Sequence, residues 1–184
     1  MKNKVKIRDF VLVLIASAIC AIFSFLSSAF LDFQMSYIVS LFLFVLLLSV
    51  SFCIVSKSGF AILFSFVFAL LTFGFGDLGI TGFNKLITLV LFAAVFELMF
   101  FFFKIVTKKV SLSVVLASVI SSALIPLMIG VLLSVNVLLS LVKNVLNLVL
   151  LSFLIGFIAS LIALVVWYYT KTVKLFLKFQ YFKR

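Results

Sequence analysis

The sequence has no histidine, four acidic residues, two cysteines and one proline among 184 residues. The lack of histidine excludes histidine metal sites, Ser–His triads and histidine acid–base catalysis. No GxSxG motif or useful pair of carboxylates takes their place. Cys20 and Cys53 lie in separate apolar segments rather than in a CxxC pair, so we interpret them as buried apolar residues. The composition predicts that the chain is not an enzyme and needs no cofactor or metal.

Apolar residues make up 67% of the chain, charged residues only 10%, and the mean hydropathy is +1.54. So few charges cannot cover the surface of a soluble domain of this size. Long apolar runs of this kind are typical of integral membrane proteins. The net charge of +11 is compatible with nucleic-acid binding, but the placement of the charges favours a membrane topology and no nucleic acid.

Six apolar segments approach the length of about 20 residues that a helix needs to cross a bilayer. They are residues 10–31, 37–56, 59–73, 85–104, 111–135 and 145–170. The first run is longer than the apolar part of a signal peptide, about 7–15 residues, so we interpret it as a membrane helix. The third is short, and Pro126 and Gly130 predict a kink in the fifth. We therefore predict an all-α integral membrane protein, with one bundle of six transmembrane helices spanning residues 1–184.

The basic residues predict the orientation of this bundle. With the N-terminus in the cytoplasm, 13 of the 15 Lys and Arg residues fall in inside segments, and only Lys85 and Lys143 fall outside. This asymmetry is a strong positive-inside signal and places both termini in the cytoplasm. Residues 171–184 mix basic and large apolar side chains, which favours an interfacial segment on the inner leaflet over a docking segment. We expect a multi-pass protein of the plasma membrane.

The stretch FGFGDLGITGFNK, residues 73–85, gathers glycines and polar residues in the predicted outer loop between the third and fourth helices. One interpretation is a flexible turn in which Asp77 and Asn84 cap the neighbouring helices. The other is a ligand cradle, in which glycines allow close approach to a small molecule. Its polar groups would be those of Asp77, Thr81, Asn84 and Lys85. The GxGxxG spacing inside the stretch follows no predicted strand, so it does not indicate a dinucleotide site.

Other polar residues extend this hypothesis. Asn136 and Asn147 belong to the predicted outer segment before the last helix and are further candidates for ligand binding. Glu97 lies deep in the fourth helix, where an ionisable group is costly. It either binds a substrate or a proton, or it stays protonated and bonds to a serine of a neighbouring helix.

Small residues in the first helix point to close helix packing. Ala16, Ser17, Cys20 and Ala21 include two small-xxx-small pairs, which let membrane helices approach closely. The contact is either internal to the bundle or an interface with another subunit.

The helix count, the length and the stretch FGFGDLGITGFNKLITLVLFAAVFEL together resemble the substrate-binding S components of energy-coupling-factor (ECF) transporters. The resemblance implies an outer pocket for a vitamin-like ligand that draws on Asp77, Asn84, Lys85, Asn136 and Asn147. It also implies a first helix that contacts a transmembrane coupling subunit through an AxxxA-like motif, and partner ATPases that drive transport. The strict AxxxA motif is absent here, and its nearest forms are Ser17-xxx-Ala21 and Ala16-xxx-Cys20.

Three functions follow from these observations. The first is a membrane subunit for uptake of a small, vitamin-like molecule, which would need ATPase partners because the chain has no P-loop. The second is a non-transporting scaffold of a cell-envelope assembly, since the rod-shape protein MreD has a similar size and helix count. The low polar content of the predicted bundle favours the scaffold. An intramembrane enzyme is the least favoured, because the motifs it would need are missing.

Overall fold

The computed structural model describes residues 7–107, 110–133 and 138–170. These ranges form seven helices and contain no strand, which confirms the prediction of an all-helical chain for the described residues. The helices are α1 (Ile7–Phe30), α2 (Phe33–Val55), α3 (Phe60–Leu71), α4 (Gly82–Thr107), α5 (Val110–Ser122), α6 (Leu124–Leu133) and α7 (Leu138–Thr170). The predicted interfacial tail, residues 171–184, lies outside the described residues.

Within the described ranges, five helical segments are long and apolar enough to cross a membrane, which indicates a multi-pass membrane protein. They are Asp9–Phe30, Phe33–Val55, Gly82–Lys104, Leu112–Val131 and Val145–Tyr169. Helix α3 has 12 residues. At 1.5 Å per residue it is about 18 Å long, shorter than a hydrocarbon core of about 30 Å. The sixth crossing and the cytoplasmic location of both termini therefore remain predictions.

Phenylalanine rings fill the space where α2 meets α3 and α4. Phe44 of α2 contacts rings of both neighbours, with centroids 5.0 Å from Phe68 and 5.2 Å from Phe92. Phe52 repeats the arrangement two turns further along, 5.1 Å from Phe96. Phe44, Phe52, Phe68, Phe92 and Phe96 are all fully buried. Such edge-on and tilted pairs add directional attraction to close packing, so several of the 26 phenylalanines form the core of the bundle.

Serine hydroxyls join α2 to three other helices. Ser27 of α1 bonds to Ser40 over 3.0 Å, and Ser49 bonds to Ser118 of α5 over 2.9 Å. Towards the start of α2, the Tyr37 hydroxyl lies 2.7 Å from Ser152 Oγ of α7. Hydrogen bonds between side chains are a common means of fixing helix pairs in lipid, where water cannot compete.

The fifth predicted segment is divided into two helices. Helix α5 ends at Ser122 and α6 begins at Leu124. Pro126 lacks the N–H that would donate to the carbonyl of Ser122 in a continuous helix, so the i→i−4 ladder loses a bond at this point. The interruption lies where the sequence predicted a kink.

Candidate functional site

Residues 72–81 connect α3 to α4 and form a closed loop, which we call the glycine loop. Its ends are joined by a backbone bond from Gly82 N to Phe73 O of 2.9 Å, and an inner turn is closed by Gly79 N and Gly76 O at 3.0 Å. Gly79 has φ +78°, and a Cβ there would lie 3.2 Å from Phe33 Cζ. The backbone conformation of the turn and its close approach to α2 therefore both favour glycine at this position.

Lys85 and Asp77 form an ion pair with no exposed side-chain surface on either partner. Lys85 lies in the first turn of α4, because α4 begins at Gly82 rather than at residue 85. Its ammonium group also donates to the carbonyl oxygens of Thr72 at 3.0 Å and Phe75 at 3.1 Å. These three acceptors match the three donors of a lysine side chain, so its charge is satisfied inside the protein.

Glu97 binds the opposite end of α3. Its Oε2 accepts from Gly59 N at 2.8 Å and its Oε1 accepts from Ala61 N at 2.9 Å. The partners are thus backbone N–H groups at a helix N-terminus, not the serine hydroxyl that one sequence-based alternative proposed. A carboxylate at this position satisfies free N–H groups and interacts favourably with the helix dipole.

Helix α4 therefore holds both ends of α3 with charges of the appropriate sign. Glu97 binds the N-terminal N–H groups, and Lys85 binds the carbonyls of Thr72 and Phe75 at the C-terminal end. Glu97 lies 12 positions after Lys85 along α4, and α3 contains 12 residues, so the two side chains are spaced to match the two ends of α3. We call Lys85 and Glu97 the charge clamp of α3. It compensates the polar ends of a helix that is too short to reach both surfaces of a bilayer.

A second ion pair lies at the Glu97 end of the bundle. Lys57, in the turn between α2 and α3, pairs with Asp9 of α1, and both side chains are largely buried. In the same turn Ser56 has φ +49° and Gly59 has φ +81°. The pairing of Asp9 with Lys57 was not predicted from the sequence. Charged residues are rare beside the apolar spans, and this rarity was the signal available in the sequence. An acid or a base near such a span needs a partner when it is buried.

A cavity of about 540 Å³ lies at the glycine-loop end, between the start of α2, the glycine loop, α6 and α7. Leu78 and Gly79 form its loop wall, and Phe33 and aliphatic side chains form much of the rest. Its polar lining comes from Gln34, Tyr37 and Asn147. A partly open, mostly apolar cavity of this volume with a few polar groups is suited to a small organic molecule.

The structure places the predicted ligand-binding residues in different surroundings. Asn147 lines the cavity, whereas Asp77 and Lys85 are buried in their own ion pair. Thr81 and Asn84 are exposed, and neither is among the residues that line the cavity. Glu97 lies at the other end of α3. Asn136 lies outside the described residues.

Gln34, Tyr37 and the apolar walls were not among the predicted site residues. The available signal was FQMSY, residues 33–37, where an amide and a tyrosine occur at the start of an apolar span. A tyrosine in such a place usually directs its hydroxyl at a polar partner.

The small residues of α1 face the interior of the bundle in this conformation. Ser17, Cys20 and Ala21 are buried, and Ala16 packs against the core with part of its surface exposed. These side chains therefore take part in packing within the bundle, and their contact with another subunit stays a prediction. An interface that used these four residues would require α1 to move.

No protein-family model, curated protein or solved structure matches this chain. The candidate site therefore rests on the geometry of the chain itself.

Proposed function

We propose that the chain is a membrane-embedded binding subunit for uptake of a small, vitamin-like molecule, and that it works with a transmembrane coupling subunit and ATP-hydrolysing subunits. The observation that carries the proposal is the cavity of about 540 Å³ at the glycine-loop end. Its size falls in the usual range of ligand sites, about 300–1,000 Å³. The resemblance to ECF S components, in which such a pocket opens outwards, supports the same function.

The lining suggests how a ligand is held. Apolar walls would bury the body of the ligand, and the amides of Gln34 and Asn147 each offer one acceptor and two N–H donors. The Tyr37 hydroxyl is already bonded to Ser152, which fixes the orientation of its ring. The geometry favours a ligand with both a sizeable apolar surface and groups that bond to amides.

Native mass spectrometry of the detergent-purified protein, incubated with a panel of vitamins, tests the proposal. We expect an adduct of a few hundred daltons. It should weaken in Asn147→Leu, which removes a lining amide, and disappear in Leu151→Trp, which fills the cavity. Asn84→Leu is the matched control, because Asn84 is an exposed amide away from the cavity. An unliganded mass throughout, or equal loss in Asn84→Leu, would contradict the proposal.

One observation favours the scaffold as a second candidate. The charged side chains of Asp77, Lys85 and Glu97 hold helices and the glycine loop together, and none of them lines the cavity. A non-transporting subunit of a cell-envelope assembly would need such internal bonds and no ligand.

Gentle purification separates the two candidates. Recovery with envelope-synthesis proteins, together with a thermal stability that no solute changes, would support the scaffold, whereas recovery with ATPases would support uptake.

A further inference from the structure

We propose that Lys85 is a positioning residue for the cavity, and that its ion pair with Asp77 holds the glycine loop closed as one wall of the site. This inference rests on the proposed function, because the position of the wall has a role in uptake only if the cavity binds a ligand. Leu78 and Gly79, which line the cavity, directly follow Asp77 in the chain. Any movement of Asp77 away from α4 therefore moves the wall.

Three bonds from one ammonium group fix the loop. Lys85 Nζ binds Thr72 O at the start of the loop, Phe75 O within it and Asp77 Oδ1 next to the wall. Both charged side chains are fully buried. Lys85 itself belongs to α4, a long helix, so the loop is bonded to a rigid element.

In the part of the chain that the structure describes, Lys85 is the one ionic partner of Asp77. Its second oxygen, Oδ2, is buried and has no hydrogen-bond partner among the described residues. A buried carboxylate that loses its counter-charge is strongly disfavoured, so it either reaches water or takes up a proton, and in both cases the ionic bond that held Asp77 to α4 is lost. Loss of the Lys85 ammonium should therefore release the segment that carries Leu78 and Gly79.

Gly79, one of the two residues of the loop wall, packs against Phe33 of α2. Gly79 approaches the Phe33 ring so closely that a Cβ at this position would lie 3.2 Å from Phe33 Cζ, tighter than an ordinary van der Waals contact. Leu78 has no exposed surface while the loop is in this position. The accessibility of residue 78 thus reports directly whether the wall is closed, and it does so without a ligand.

The experiment measures the rate at which a maleimide labels Leu78→Cys in a Cys20→Ser, Cys53→Ser background. We expect slow labelling, accelerated on the order of tenfold or more by Lys85→Met, because a charged hydrogen-bonding group that closes the loop is lost. Asp77→Asn should give a smaller acceleration, since Lys85 keeps its two carbonyl bonds. Lys57→Met is the matched control: it breaks the ion pair with Asp9 at the other end of the bundle and should change the rate less than about twofold.

Unchanged labelling in folded Lys85→Met and Asp77→Asn would overturn the inference, and so would equal acceleration by Lys57→Met. If the Lys85 variants do not fold, hydrogen exchange on the otherwise unaltered chain decides. The amides of Gly79 and Gly82 should then exchange as slowly as those of the core helices, and rapid exchange would overturn the inference. Neither readout needs a ligand, so the two proposals can fail separately: a failed ligand search contradicts the proposed function, and unchanged labelling contradicts the closure of the loop by Lys85.

Discussion

At the scale of single residues, the chain uses its few buried charges to compensate backbone groups. Glu97 accepts two N–H groups at the start of α3, and Lys85 donates to two carbonyls beyond its end. Polar groups in a membrane protein must find partners inside the structure, because lipid offers none. The resulting expectation is that these side chains matter for stability even where no ligand is bound.

Glu97→Gln tests this expectation. A glutamine side chain has one acceptor oxygen, so one of the bonds to Gly59 N and Ala61 N is lost together with the charge. We expect a loss of about 1–3 kcal/mol in the free energy of unfolding. The apparent midpoint of thermal unfolding in detergent should fall by about 2–10 °C. Asn84→Ala, which alters an exposed polar residue of the same helix, should leave the midpoint unchanged, and an equal fall in that control would contradict the explanation.

Gly79→Ala tests the close approach of the glycine loop to α2. The residue has a positive φ, and its added methyl would lie 3.2 Å from Phe33 Cζ. We expect a loss of about 1–2 kcal/mol from the backbone conformation alone. Gly74→Ala is the matched control, because an added methyl there would meet no neighbouring atom within 4 Å and its φ is not positive. Thermal unfolding of both variants measures the difference, and equal midpoints would show that the loop adapts to a side chain at residue 79.

At the scale of elements, the apolar runs predicted where the helices lie, because hydrophobic length is the strongest signal in such a chain. The boundaries were less predictable. The fourth span was predicted to begin at residue 85, after an outer loop of polar residues, yet α4 begins at Gly82, so Asn84 and Lys85 lie in its first turn. The sequence alone could not show that Thr72, Phe75 and Asp77 would surround the ammonium group, since that depends on how the loop folds back. For the same reason, it could predict Asn147 as a candidate but not the apolar walls of the cavity.

The contact between α5 and α7 provides a prediction for a helix pair. A Cβ at Gly156 would lie 2.2 Å from Ser122 Oγ, 2.8 Å from Ser122 Cβ and 3.2 Å from the Ser118 carbonyl oxygen. Rotation of the serine relieves only the first overlap, so Gly156→Ala must separate the helices. Overpacking of this kind costs about 1–3 kcal/mol.

Thermal unfolding in detergent measures this cost, and Ser122→Gly should recover part of it. The second substitution removes the two nearest atoms, so the double variant should be more stable than Gly156→Ala, although Ser122→Gly alone is destabilising because glycine disfavours helix. If the double variant instead lost as much stability as the two single variants added together, the close contact between Gly156 and Ser122 would be contradicted.

At the scale of the whole molecule, the path of α3 determines on which side of the membrane each end of the bundle lies. Its 12 residues are too few to cross alone, but the glycine loop extends the segment to the same end of the bundle as Phe33 of α2. The Glu97 end has its own turn, fixed by Asp9 and Lys57. The bundle thus has two distinct ends, and the positive-inside pattern predicts that the glycine-loop end faces outwards.

Two exposed residues on either side of α3 test this orientation. Ser58 lies in the turn before α3, and Thr81 lies at the end of the glycine loop. In a background without Cys20 and Cys53, a membrane-impermeant maleimide applied to intact cells should label Thr81→Cys and not Ser58→Cys. Opened membranes should allow both to react, which controls for accessibility. Labelling of both residues from outside would mean that α3 and its loop enter and leave the membrane on the same side. The chain would then cross the membrane five times, and its two termini would lie on opposite sides. Protection of Thr81→Cys with labelling of Ser58→Cys would instead invert the bundle, direct the cavity to the cytoplasm, and remove the basis for an uptake function.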